Sequence, residues 1–189
     1  MNQEGPLHFS ARKPRIFTIG HSDLSIEGLI QLLDGSSVKM VVDVRSNPAS
    51  SRFPHFERTR LAVSLDEAGI NYRWFRALGG HCAPSAADAI HTALPESARA
   101  YATAMNRESF GLWVEELVGL SSSAVTAVLC AERDPRQCHR FLLADKIQQL
   151  GARVVHIIDG DNAFEHEPHS DLVIEAGKLI YRRKQLPLL

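Results

Sequence analysis

Between residues 125 and 150 the hydrophobic period changes once, and that change restricts the chain to a small set of folds. Val125, Ala127, Val128 and Leu129 form a short apolar run of the kind a strand buried on both faces requires. Pro135 disfavours helical backbone at Asp134, so a helix is expected to begin after it. Phe141, Leu142, Ile147 and Leu150 then recur on one helical face, and Gly151 supplies the stop. The unit is strand, polar loop, helix. Cys130 stands at the strand's carboxyl end, and Cys138, His139 and Arg140 stand at or near the helix start.

The same alternation repeats along the chain. A strand over residues 15–19 ends at Gly20-His21-Ser22, and Ser25 is placed to cap a helix running to Leu33. The run 38–44 reads as a second buried strand, 70–75 as a third and 153–158 as another. Helices are expected over 58–68 and over 101–120, the latter broken near 108–111, with a short helix in the alanine-rich stretch before it. The segment 160–171 reads as a polar loop, and 178–181 as a short final strand. Strand–helix–strand order implies parallel pairs joined by right-handed crossovers. The expected fold is a single α/β domain over residues 15–189, with a mainly parallel central sheet and helices on both faces. Residues 1–14 read as a flexible lead-in.

With 189 residues, 44% hydrophobic and 23% charged, the chain is suited to one buried core and needs no disulfide framework. Three cysteines fit a reducing compartment. The polar first residues carry no apolar leader segment, and no run reaches membrane-spanning length, so a cytoplasmic protein without a membrane partner is expected. A net charge of −1 excludes a general basic field for nucleic acid. Arginine is nevertheless concentrated between Arg45 and Arg76, where an anion-binding rim or an ordinary solvated face are both consistent readings.

Ligands in open α/β sheets bind beyond the carboxyl ends of the parallel strands. Those ends here are Gly20-His21-Ser22, Asp43-Val44-Arg45, Cys130-Ala131-Glu132 and His156 to Gly160. Polar groups from separate strands are therefore expected in one pocket. A helix start and two basic neighbours favour the thiolate of Cys138, although a cysteine at such a position also packs as a small hydrophobe. Cys130 to Arg136 has the length of a cysteine-phosphatase loop, but it lacks glycine and carries Glu132 and Asp134, which repel phosphate. Paired C-x-x-C spacing is absent, so neither a structural metal nor a cofactor is expected.

Six motifs in order, Thr18-Ile19-Gly20-His21-Ser22, Asp43-Val44-Arg45, Gly69-Ile70-Asn71-Tyr72, Leu78-Gly79-Gly80, Cys130-Ala131-Glu132 and Cys138-His139-Arg140, resemble those of the domain-of-unknown-function family 488 (DUF488). The resemblance runs from about Ile16 to Asp159 and implies a small prokaryotic cytoplasmic α/β protein, without supplying a reaction. The expected function is an enzyme, a hydrolase or transferase of cysteine or acid/base type, acting on an anionic, phosphate-bearing nucleotide or nucleic acid. Cys138 or Cys130 would be the nucleophile or a structural thiol; Glu132, His139 or His21 would move protons. Ser22, Asp43, Arg45, Gly79, Gly80 and Arg140 would bind substrate. The alternative is a non-catalytic nucleic-acid module working through the arginine-rich 45–76 face.

Overall fold

A strand buried along its whole length stands in the middle of the sheet. β4 (Thr126–Cys130) is buried at all five positions and pairs in parallel with β1 (Arg15–Gly20) on one side and β2 (Met40–Asp43) on the other. The computed structural model describes residues 13–183, so nearly all of the expected lead-in lies outside the described residues. β3 (Asn71–Trp74) and β5 (Arg153–Ile157) extend the sheet outward, and β6 (Ala163–Glu165) closes it antiparallel to β5, giving the order β3-β2-β4-β1-β5-β6. β3 alternates between exposed and half-buried residues, as befits its place at the sheet's other edge.

Alternate side chains of the inner strands enter two cores. Phe17, Ile19, Val41, Ala127 and Leu129 meet α1 (Ile26–Gly35) and α2 (Arg58–Glu67) through Leu29, Leu33, Leu61 and Leu65. On the opposite face Ile16, Val42, Val128 and Val154 meet α3 (Glu96–Met105), α4 (Glu108–Ser123) and α5 (Arg140–Gln149). The hairpin of β7 (Leu172–Glu175) and β8 (Lys178–Tyr181) joins that second core through Leu179 and Tyr181. The protein is thus a single α/β domain with helices on both faces of a mostly parallel sheet.

Several boundaries follow directly from side-chain chemistry. Ser25 caps α1, its Oγ accepting the amide hydrogen of Gly28 at 3.1 Å. Ser25→Ala is expected to lower stability by about 1 kcal/mol, read as a shift in the urea midpoint at constant slope. The helix break expected near 108–111 occurs slightly earlier, at Asn106 and Arg107. Its cause is tertiary: the Asn106 amide pairs with the backbone of Leu179 in both directions, at 2.8 Å each way. β6 lies within the stretch expected to be loop, and its three residues are too few to show an alternating pattern.

β1 is followed by a crossover over β4 to β2, and β2 leads outward to β3, whereas β4 crosses β1 to reach β5. Connections leaving β2 and β4 therefore diverge, which opens a crevice beyond their carboxyl ends. The register places Gly20 opposite Cys130 and Asp43 opposite Leu129, so the motif-bearing ends of three strands lie at one level.

Candidate functional site

Glycine at position 20 is what allows the loop after β4 to fold across the end of β1. A Cβ there would lie 1.7 Å from the Glu132 carbonyl oxygen, inside any allowed contact. The amides of His21 and Ser22 donate to the carbonyls of Cys130 and Ala131 at 3.0 and 2.7 Å, and Ser22 takes a positive φ of 45° to do so. From the other side the Arg140 guanidinium donates to the Glu132 and Arg133 carbonyls. Arg140 is almost wholly buried and both its Nη groups donate to this loop, while Nε has no partner among the described residues, so it shapes the site from behind and does not line it.

Asp43 and Arg45 form a second buried frame. The Asp43 carboxylate, without solvent exposure, accepts from the Arg45 amide (2.9 Å) and guanidinium (2.6 Å at the closest) and from the Tyr72 hydroxyl (2.7 Å). Arg45 also donates to the Phe56 carbonyl at 2.9 Å and approaches Nε2 of His21 at 3.3 Å. Nδ1 of His21 faces the Ser22 carbonyl at 3.1 Å, which can only accept, so Nδ1 carries the hydrogen and Nε2 accepts from Arg45. Burial, reinforced by the Arg45 charge, lowers the His21 pKa to about 4. His21 is therefore a neutral imidazole with both nitrogens engaged.

The third component is a sulfur–imidazole cluster. Cys130 Sγ and Cys138 Sγ are 3.1 Å apart, and Nδ1 of His139 lies 3.8 Å from the first and 3.7 Å from the second. Glu132 Oε2 is 3.5 Å from Cys130 Sγ. Cys138 precedes α5 by two residues in extended backbone, with His139 as the N-cap residue. Interaction with the Cys130 thiol, and then with His139 and Arg140, draws the Cys138 thiol far below its ordinary range against the opposing effect of burial. The Cys130 thiol moves the opposite way, through the same pairing, burial and Glu132. Of the two sulfurs, Cys138 is the one whose surroundings favour the thiolate. Nε2 of His139 is buried without a hydrogen-bond partner among the described residues, so whatever faces Nδ1 sets the tautomer. Gly80 permits the close approach to this ring, because a Cβ would come within 2.8 Å of Nδ1.

These components share a cleft of about 810 Å³. Of the residues expected from the sequence, His21, Ser22, Arg45, Gly80, Cys130, Glu132, Cys138 and His139 line it. Asp43, Gly79 and Arg140 do not; each supports a residue that does, with Gly79 packed so tightly on Ser46 that a Cβ would meet its Oγ at 2.4 Å. His156, expected to deliver a polar group to this edge, is fully buried and bonded to Thr18 and His166 instead. Ser46, Arg52, Phe53, His81 and Gln137 line the cleft without having been singled out as site residues. The first three belong to the loop between β2 and α2, where only Arg52, within the arginine-rich 45–76 stretch, carried a signal in the sequence.

An α/β domain whose strand-end cleft gathers two cysteines, a histidine and a glutamate is the class that fold and geometry define. The chain matches the family described as "Domain of unknown function DUF488" over residues 25–147, more than half its length, and belongs to that family. No curated protein and no solved structure matches it.

Among the described residues no helix is long and apolar enough to cross a membrane. Of the arginine-rich 45–76 stretch, Arg45 is held by Asp43, Arg73 pairs with Glu116 at 2.7 Å, and Arg58 lies over the Trp74 ring at 4.7 Å.

Proposed function

We propose that this protein is an enzyme, a hydrolase or transferase acting on an anionic, phosphate-bearing substrate of nucleotide or nucleic-acid type in the strand-end cleft. One observation carries the reading: Cys130, Cys138, His139 and Glu132 converge on the wall of a cleft whose size suits a nucleotide. A structural role would not require four reactive groups at a solvent-accessible wall, built by a glycine and a buried arginine that only serve to shape the loop. Arg52, His81 and the amide-bearing Gln137 supply donors toward an anion, and Glu132 is the group placed to move protons. Arg45 is withdrawn from the 45–76 face by Asp43, and Arg73 is partly neutralised there by Glu116, which favours this reading over a binding module that uses that face.

The test is a turnover screen of phosphate-bearing metabolites and short oligonucleotides with the full chain. Glu132→Gln and Cys138→Ser are expected to lower kcat/KM by about a hundredfold on any substrate found. Binding without turnover, with affinity falling steeply as salt rises, would instead identify the nucleic-acid module.

A further inference from the structure

We infer that Cys130, Cys138 and His139 form a binding site for a single thiophilic divalent cation of the zinc type, open to the cleft. The inference deepens the proposed function and rests on its reading of the cleft as a reacting site. The three ligand atoms lie within 4.8 Å of one another. In a tetrahedral site with ordinary zinc–sulfur and zinc–nitrogen bonds, two sulfurs stand about 3.8 Å apart and sulfur and nitrogen about 3.5 Å. The two sulfur–nitrogen separations, 3.7 and 3.8 Å, already approach this arrangement. The sulfur–sulfur separation of 3.1 Å is too short for it, and the sulfurs have to part by roughly 0.7 Å to admit an ion.

The absence of C-x-x-C spacing does not argue against such a site, because the ligands are assembled by tertiary structure. Cys130 ends a strand, Cys138 and His139 follow a 3₁₀ turn over Pro135–Gln137, and Gly20 and Arg140 fold the intervening loop so that they meet. Two thiolates and an imidazole select a borderline-soft ion over magnesium or calcium, which prefer oxygen. All three residues line the cleft, so the fourth position of a tetrahedral ion faces it and is free for water or substrate, as in catalytic zinc sites. Glu132 lies outside the ligand set, with a carboxylate oxygen 3.5 Å from Cys130 Sγ, and is placed to accept a proton from water held there.

Cobalt(II) alone is the probe. The full-length protein, reduced and stripped with a chelator, is titrated anaerobically with cobalt, and metal content before stripping is measured by elemental analysis. Expected are about one equivalent bound, intense tetrahedral d–d bands, thiolate-to-cobalt charge transfer in the near ultraviolet, and displacement by zinc. Cys130→Ser and Cys138→Ser should each weaken cobalt binding at least about tenfold, with Cys82→Ser unchanged and circular dichroism confirming that the variants fold. A cobalt spectrum without sulfur charge transfer, or binding well below one equivalent in the folded wild-type chain, would overturn the site. Absence of metal together with turnover that still needs Cys138 removes this inference and leaves the proposed function standing. Metal bound through sulfur with no turnover on any anionic substrate does the reverse.

Discussion

Asp43→Ala is expected to destabilise the fold by about 3–5 kcal/mol, the cost of breaking a buried ion pair from one side. The Asp43 side chain is fully enclosed, and that of its Arg45 partner is only 7% exposed. Removing the carboxylate leaves the guanidinium with one carbonyl and one imidazole nitrogen, strands the Arg45 amide, and leaves the Tyr72 hydroxyl without its acceptor. Each stranded buried donor adds its own desolvation cost. Asp43→Asn keeps an acceptor oxygen but loses the charge, so its cost should fall between those of the wild type and Asp43→Ala. The measurement is urea unfolding followed by tryptophan fluorescence, because Trp74 donates to the Arg45 carbonyl at 2.9 Å and reports this corner. A loss under about 1 kcal/mol would mean that Arg45 finds water when its partner is removed, and that the pair is no frame for the cleft.

That pairing is the plain reading of the sequence, in which Asp43 is also a candidate ligand for substrate. Residues two apart in extended backbone point to the same side, so an acid and an arginine at positions 43 and 45 pair with each other first. The strand ends were also legible, because buried parallel strands leave continuous apolar runs that stop abruptly at polar residues. Proximity of Cys130 to Cys138 was not. The seven residues between them fix no distance, and the separation is decided by the Gly20 contact and by the Arg140 side chain reaching back to two carbonyls. Arg140 illustrates a general difficulty: a positive charge beside a reactive cysteine reads as anion binding, while its burial and its carbonyl partners depend on the packing of distant elements. The same holds for Thr18 and His156, register partners on adjacent strands whose neighbourhood depends on an unpredictable strand order.

Those two residues begin a buried chain that should make the protein acid-sensitive. Asp145 accepts from Nε2 of His166 at 2.9 Å, so Nδ1 of His166 is free to accept from Nε2 of His156 at 3.0 Å. Nδ1 of His156 then accepts the Thr18 hydroxyl at 2.6 Å, while Tyr181 donates to the other Asp145 oxygen at 2.9 Å. Every polar atom in this line has one role, and His156 is neutral in it. Burial above all, with the Arg140 and Arg136 charges acting in the same direction, lowers the His156 pKa to about 3. Phe141 and Phe164 pack against the His156 ring, so no solvent relieves a charge there. In the unfolded chain the same histidine titrates near its ordinary value of 6.5. Between those two values the unfolded state binds the extra proton, so stability is full above about pH 6.5 and falls by about 1.4 kcal/mol per pH unit below it. At about pH 4 the loss from His156 alone exceeds roughly 3 kcal/mol. His21, lowered to about 4, adds a loss of the same sign over most of that window. Urea midpoints measured between neutral pH and about pH 4 should therefore fall steadily, with a proton uptake on unfolding of more than one per molecule around pH 5. His156→Gln, which cannot titrate, should start less stable and show a shallower slope. A wild-type midpoint that stays level from neutral pH to about pH 5 would mean that His156 accepts its proton in the folded state, and that the Thr18–His156–His166–Asp145 line reverses direction to accommodate it.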